Sequence, residues 1–337
     1  MKILVIGGTR NLGHSLVHQL IEHGHTVTVF NRGMTRDELP DSVERLVGDR
    51  TDLDQLSAKL SRRTFDSVID TALYKGDEAD AIVSLLKGKT GHYFFLSSGQ
   101  VYLVREAVER PFKEVDYEGR TMPAPKLETY GYEEWLYGMD KRAAEDKLMS
   151  AFRRDQFPVT VLRLPMVNGQ RDHFGRLHGY VLRLRDGGPI LVPSTPNHAL
   201  RHVYSGDVVR IMLNMIENRV GIGKAYNLSQ DETVSLDEFL GIVGAIMDIA
   251  PTIVRIRRDL LEANGFVPDC SPFSERWMSE LDNQLSKTEL DATYTPLKTY
   301  LESTINHYID NALPSPIGYK RRRAEITFYE QVIGQVE

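Results

Sequence analysis

The segment that most constrains this chain is its first strand-to-helix turn. Lys2–Ile6 is a short apolar run that reads as a strand. Gly7-Gly8-Thr9-Arg10-Asn11-Leu12-Gly13 follows directly and leads into Asn11–His23, where Leu12, Leu16, Val17, Leu20 and Ile21 recur at helical spacing before Gly24 stops the run. A glycine turn of this kind lets backbone amides reach a pyrophosphate, and the helix N-terminus favours its charge. Gly13 lets the helix lie close to the sheet. The turn therefore predicts dinucleotide binding through Gly7, Thr9, Arg10, Asn11, Leu12 and Gly13. A tight α/β turn with no ligand is the alternative it leaves open.

The same rhythm continues. Thr26–Asn31 is β-branched and strand-like, and Glu44–Val47 is a short strand candidate. Leu53–Leu60 reads as a helix capped by Thr51 or Asp52, Ser67–Asp70 as a strand, Asp77–Leu86 as a helix and Tyr93–Ser97 as a strand. The stretch 105–134 is polar, carries Pro111, Pro123 and Pro125, and has no period. A loop of that length is expected to be functional, here a lid. Helix signals return at Gly138–Arg153 and a strand at Val159–Leu164. Val208–Glu217 and Leu236–Met247 read as helices and Ala225–Leu228 as a strand.

Apolar strands alternating with helices predict an α/β, Rossmann-like doubly wound parallel sheet, with a smaller C-terminal substrate lobe. The chain has 337 residues, more than one domain usually holds. Residues 1–165 are expected to form the cofactor domain, with 200–229 completing its sheet, and 166–337 mainly the substrate-binding lobe. The Gly/Pro-rich stretch 186–196 is the expected lobe boundary.

Composition removes several classes. At 41% hydrophobic and 26% charged residues the chain is that of a globular protein. No apolar run approaches the roughly 18 residues that span a bilayer. The first residues are too short an apolar run for a signal peptide. The single Cys270 allows no internal disulfide, so a cytoplasmic location is expected. A net charge of −6 argues against a dedicated nucleic-acid binder. His173 and His178 lack carboxylates at metal-ligand spacing, so no metal is expected. Lys320-Arg321-Arg322-Arg323 reads as a solvated cationic face.

The second strand ends in Asn31-Arg32, with no acid at positions 30–33. An acid there would hold an NAD ribose, whereas a cation meets the 2′-phosphate of NADP. Arg32, with Arg10 on the same side, predicts NADP, and NAD is the alternative. Asp49 is placed to meet the adenine beside Arg50, or is simply a loop acid before the Thr51-Asp52 cap.

Tyr137 and Lys141 are four residues apart, which stacks them on one helix face. An ammonium beside a phenol stabilises phenolate, so the expectation is a Tyr137 pKa below 10. The phenol can then exchange a proton with a hydroxyl while hydride moves to or from a nicotinamide. Ser97-Ser98 closes the fifth strand, whose end faces the ligand crevice, and Ser98 could hold the substrate oxygen.

The order of glycine turn, Ser97-Ser98-Gly99-Gln100-Val101-Tyr102 and Tyr137-x-x-x-Lys141 resembles the extended short-chain dehydrogenase/reductases, the NAD-dependent epimerase/dehydratase family. Tyr137–Glu145, Leu162–Gly169, His202–Val208 and Ala225–Leu228 continue the resemblance nearly to the end of the chain. It implies Ser98, Tyr137 and Lys141 as the catalytic triad, with Lys141 also on the cofactor, and Gly7, Gly13, Asp49 and Ala72 as cofactor contacts. Three departures matter. Arg10 replaces the middle glycine, as in an atypical subgroup that includes chloroplast stem-loop-binding proteins. Gly99-Gln100 stand where sugar 4,6-dehydratases carry Asp-Glu, which disfavours a dehydratase. Met166 stands where epimerases carry an Asn on the nucleotide phosphates, which argues against a UDP-sugar.

The expectation is an NADP(H)-dependent oxidoreductase or epimerase. It would act on a hydroxyl or ketone of a small sugar-like substrate, nucleotide-linked or not, with a homodimer left open. The rival is a cofactor-sensing RNA- or protein-binding module on the same fold. Arg171, Arg176 and Arg201 are the candidates for an anionic substrate.

Overall fold

The computed structural model describes residues 1–195 and 197–333. The first half runs β1 (Lys2–Ile6), α1 (Asn11–Glu22), β2 (Thr26–Asn31), β3 (Glu44–Val47), α2 (Leu53–Leu60), β4 (Ser67–Asp70), α3 (Gly76–Leu86), β5 (Tyr93–Ser98), α4 (Gln100–Leu103), α5 (Tyr130–Asp155) and β6 (Val159–Leu164). Then come β7 (Val167–Asn168), α6 (Arg176–Arg185), β8 (Ile190–Pro193), β9 (Val203–Tyr204), α7 (Ser205–Asn218), β10 (Ala225–Asn227) and α8 (Leu236–Met247). The chain continues through β11 (Ile253–Ile256), α9 (Arg258–Ala263), α10 (Gln284–Leu290), α11 (Leu297–Asp310) and α12 (Arg322–Ile333).

Seven parallel strands form the main sheet in the order β10-β6-β5-β4-β1-β2-β3. This is the Rossmann-like α/β fold. Four residues of β1, all of β4 and all of β6 are buried, because helices cover both faces of these central strands, whereas the edge strand β3 is largely exposed. On one face α3 and α5 pack together, and Leu86, Phe95, Leu148 and Val161 share their core. On the other, α1 packs with α7. The strand order reverses between β1 and β4, so the carboxyl ends of these two strands flank the switch-point crevice where ligands bind in such sheets.

The chain divides into two compact units. The first holds Met1–Pro165, Ser205–Ser229 and Ser279–Tyr294; the second holds Met166–Tyr204, Gln230–Met278 and Thr295–Glu337. The stretch 186–196 is therefore not a boundary: its described residues lie inside the second unit, where Ile190–Pro193 is a strand paired with β11, and Pro196 lies outside the described residues. The second unit has its own core, in which Leu177, Tyr180, Phe239, Phe273, Leu301 and Ile305 meet. Cys270 is buried there beside Leu191, Ile256, Leu261 and Phe266, and burial pushes its thiol up to about 12, so it is an inert packing residue. Among the described residues no helix is long and apolar enough to cross a membrane.

The 105–134 stretch departs from the lid expectation. Phe112 and Tyr117 are buried with Val101, Tyr102 and Leu281, and Phe112 exchanges backbone hydrogen bonds with Glu280 and Asp282 at 2.8 Å. Arg105 donates to the carbonyl of Asp116 at 3.0 Å. The helix then begins at Tyr130, capped by Thr129, eight residues before the expected start. Aromatic anchors every few residues had hidden a docked segment behind a polar composition.

Candidate active site

Every residue singled out for the cofactor and the triad lies in the first unit. At the end of β1, Gly7 has φ +99°, and a Cβ there would stand 2.1 Å from Thr71 Oγ1, so only glycine keeps the turn and the β4 end in place. A Cβ on Gly13 would stand 2.8 Å from the Gly8 Cα, which is why α1 can start against the turn. Arg10 at the start of α1 has no side-chain cap bond, and the first turn carries no acid. Amides at an N-terminus of this kind suit an anion. Asn11 Oδ1 is buried with no hydrogen-bond partner. The turn thus fits the pyrophosphate of a dinucleotide through its close-approach backbone and its uncapped helix start. The Leu12 side chain is core, which leaves only its backbone to face a ligand, and Thr9 is half-buried in the turn.

Asn31 is occupied in shaping the second strand end. Its amide oxygen accepts from Gly33 N at 2.7 Å and its nitrogen donates to Gly7 O at 3.4 Å. Arg32 is exposed. Arg10 donates to Thr35 Oγ1 at 3.0 Å, which brings it to the loop that carries Arg32. Asp49 is half-buried; the Thr51 backbone N–H and hydroxyl hold its carboxyl below the usual range, with smaller contributions from Arg32 and Arg50. Asp52, not Thr51, caps α2.

Arg50 is committed elsewhere. It donates to buried Asp70 at 2.7 Å and to Glu78, and Asp70 also accepts from Tyr93 Oη at 2.8 Å and from Ala72 N at 2.9 Å. Arg50 and Asp70 therefore fix the loop after β4, and Ala72 with it.

That loop and β5 receive α5. Lys141 is 3% exposed, and its Nζ donates to Leu73 O at 2.6 Å and Leu96 O at 3.0 Å. It stands 4.6 Å from the Tyr74 ring centroid and 5.9 Å from that of Tyr137. Burial pushes Lys141 down to about 8, against the attraction of Asp70 and Glu145. Tyr137 is hydrogen-bonded to Ser98, whose Oγ also accepts from Gln100 N at 3.2 Å. The structure thus brings Ser98, Tyr137 and Lys141 together at the ends of β4 and β5.

The phenol does not behave as the spacing alone suggested. Burial pushes Tyr137 up to about 12, and Tyr74 and Glu134 add to the rise while the Ser98 bond opposes it. Lys141 gives two of its N–H bonds to carbonyls and stands 5.9 Å from the ring centroid, and burial outweighs it at the phenol.

Behind the triad, Glu145 accepts from Arg163 NH2 at 2.6 Å and from Ser97 Oγ at 2.5 Å. Arg163 also donates to Tyr102 Oη at 2.7 Å, which donates to Asn227 at 2.8 Å. This buried network ties α5 to β5, β6 and β10. Glu134 was missed in the sequence; its one legible signal is its position three residues before Tyr137.

The departures from the family pattern have physical content. A Cβ at position 99 would stand 2.3 Å from Ser279 Oγ, so the packing of 279–281 leaves no room for a dehydratase-type Asp. Met166 packs against the core of the second unit. In that unit Arg176 pairs with Asp172 at 3.0 Å and Arg201 donates to Gln230 O at 3.0 Å. The cationic run is not simply a solvated face. Arg322 is buried and pairs with Asp186 at 2.7 Å, and Arg321 donates to Asn264 O at 2.9 Å, while Lys320 and Arg323 are exposed.

A doubly wound sheet with a glycine turn at its switch point and a Ser, Tyr and Lys at the neighbouring strand ends defines a nicotinamide-dinucleotide type of site. A sequence profile described as the NAD dependent epimerase/dehydratase family matches residues 3–229, and the chain belongs to that family. Among curated relatives, the chloroplast stem-loop binding protein of 41 kDa b of Arabidopsis thaliana is 27% identical over 250 residues, 70% of this chain and 60% of the relative. The 2'-dehydrokanamycin reductase of Streptomyces kanamyceticus is 28% identical over 167 residues, 50% of this chain and 43% of the relative. The chain thus spans only about half the length of these relatives. Among solved structures, a UDP-glucose 4-epimerase of Thermotoga maritima with UDP-glucose superposes with a TM-score of 0.72 at 19% identity, covering 92% of this chain and 99% of that one. A dTDP-glucose 4,6-dehydratase of Bacillus anthracis in complex with NAD gives 0.71 at 15% identity, covering 92% and 97%. These likenesses carry the fold.

Proposed function

We propose that the chain is an NADP(H)-dependent oxidoreductase or epimerase that acts on a hydroxyl or ketone of a sugar-like substrate. The carrying observation is the convergence of Ser98, Tyr137 and Lys141 beside the glycine turn, with Tyr137 bonded to Ser98 and Lys141, held by two carbonyls, 5.9 Å from the Tyr137 ring centroid. The backbone of Gly7–Gly13 would hold the pyrophosphate, Arg32 and Arg10 the 2′-phosphate, and Ala72 and Lys141 the nicotinamide half. When bound, the cofactor supplies or accepts the hydride. Tyr137 gives its hydroxyl proton to the substrate oxygen in reduction and takes it back in oxidation. Ser98 aligns that oxygen by hydrogen bonding. Lys141 keeps one N–H direction beyond its two carbonyl bonds for a ribose hydroxyl.

The absence of carboxylates at 99 and 100 supports redox chemistry over water elimination. The kanamycin-type relative supports a carbonyl on a sugar ring as the reacting group. The RNA-binding rival rests on the chloroplast relative, and it loses two of its four clustered cations to internal pairing. The test is hydride exchange between NADP(H) and a panel of ketosugars, free and nucleotide-linked, beside a gel-shift assay with structured RNA. Turnover of one class of carbonyl supports the proposal. Inertness to the whole panel together with tight RNA binding would replace it.

A further inference from the structure

The triad leaves one ionisable group at the site without a task. Glu134 lies on α5 three residues before Tyr137, and so on the same helix face. Its Oε2 accepts from Gln100 Nε2 at 2.9 Å, and the same amide nitrogen reaches the Glu134 carbonyl at 3.3 Å. Tyr130 also bonds its carboxyl. Gln100 is buried, and its backbone N–H donates to Ser98 Oγ at 3.2 Å. Ser98 in turn is bonded to Tyr137. Glutamate, glutamine, serine and tyrosine thus form one chain of contacts at the β5 end, from Glu134 through Gln100 and Ser98 to Tyr137.

The chain of contacts gives Gln100 a reason to stand where dehydratases carry a carboxylate. A glutamine there can donate, and it holds a glutamate that arrives from α5. No lysine, arginine or histidine forms an ion pair with Glu134 among the described residues. A half-buried carboxylate without a countercharge opposes any further negative charge beside it.

We propose that Glu134 is a positioning residue of the Tyr137 site: held by Gln100, its carboxylate keeps the neighbouring phenol in its proton-bearing form, so that the resting site is set to give a proton to a carbonyl oxygen. This rests on the proposed role of Tyr137 and adds a direction to it. The other groups facing Tyr137 are Tyr74 from the loop after β4, Ser98 from β5 and Lys141 from α5. Those facing Glu134 are Tyr130 and Glu133 on α5 and Gln100 on α4. Lys141 is engaged by carbonyls, and Glu134 is the carboxylate among the groups that act on the phenol. Burial raises the Glu134 carboxyl above its ordinary value, and the carboxylate in turn raises Tyr137, which agrees with the geometry.

The experiment reads Tyr137 directly. Protein labelled with ¹³Cζ-tyrosine is titrated by NMR, with the Tyr137 resonance identified by its loss in Tyr137→Phe. In Glu134→Gln, which keeps an acceptor for Gln100 but removes the charge, the Tyr137 titration moves to lower pH. The alkaline limb of kcat/KM for carbonyl reduction moves with it, while KM changes little. Glu134→Ala replaces it if the glutamine variant does not fold. An unmoved Tyr137 titration in a folded variant overturns the proposal. Because the NMR readout needs no turnover, a protein inert to every carbonyl would sink the catalytic reading while leaving this coupling separately measured.

Discussion

Replacing Glu145 by methionine should loosen the helix that carries the triad. The carboxylate is 1% exposed and accepts from Arg163 at 2.6 Å and from Ser97 at 2.5 Å. Its loss leaves the Arg163 guanidinium buried, with only Tyr102 Oη at 2.7 Å and Glu114 O at 3.2 Å to accept from it among the described residues. Breaking one side of a buried pair costs about 3–5 kcal/mol, a large share of the stability of an ordinary domain. In a unit of this size that lowers the apparent melting temperature by roughly 6–20 °C. Arg163→Met alone should cost a similar amount. The double variant removes both charges, so its cost should fall short of the sum by about 1–3 kcal/mol. Urea unfolding followed by circular dichroism reads all three variants. Additivity within about 0.5 kcal/mol would refute the coupling, and a Glu145→Met protein as stable as wild type would refute the anchoring of α5.

Two further outcomes follow from the same site. Arg32→Ala should weaken NADP(H) binding at least about tenfold and leave NAD(H) nearly unchanged, because it removes a charge-assisted contact to the 2′-phosphate; calorimetric titration with both cofactors checks this. Lys141→Met should lower turnover and cofactor affinity together. It should also abolish a pH effect: Lys141 titrates at about 8 in the folded protein against 10.5 when unperturbed, so the unfolded chain binds more protons between these values. Wild type should therefore gain up to roughly 3 kcal/mol of stability as pH rises across that window, and the variant should not. Unfolding curves at pH 8 and pH 10.5 for both proteins measure the difference.

The parallel sheet was legible because its central strands are buried on both faces and bounded by glycine or helix signals. Lys2–Ile6, Thr26–Asn31, Ser67–Asp70 and Val159–Leu164 coincide with the sequence reading residue for residue. The start of α5 was not legible: Tyr130–Leu136 carries aromatics and acids with no apolar stripe, and its helicity comes from the Thr129 cap and from docking. The second unit was also opaque. Its strands β7 and β9 have two residues each, and Ser279–Tyr294 returns to the first unit through contacts between distant segments that leave no local period. At the site, spacing revealed the Tyr137 and Lys141 pair. It could not reveal that two carbonyls engage the ammonium, nor that Arg50, Arg321 and Arg322 are spent on internal partners. Those facts depend on where other strands and helices end.

The central claim is that Tyr137 exchanges the proton that accompanies hydride transfer. A single-turnover measurement of hydride transfer between bound NADP(H) and a reactive ketosugar, made on wild type and Tyr137→Phe, tests it most directly. The phenylalanine variant keeps the ring against Tyr74 and Lys141 and should bind cofactor as wild type does. Its transfer rate should fall by roughly 10²–10⁴-fold, the usual contribution of a positioned acid/base. A folded, cofactor-loaded Tyr137→Phe protein that transfers hydride at the wild-type rate would contradict the account.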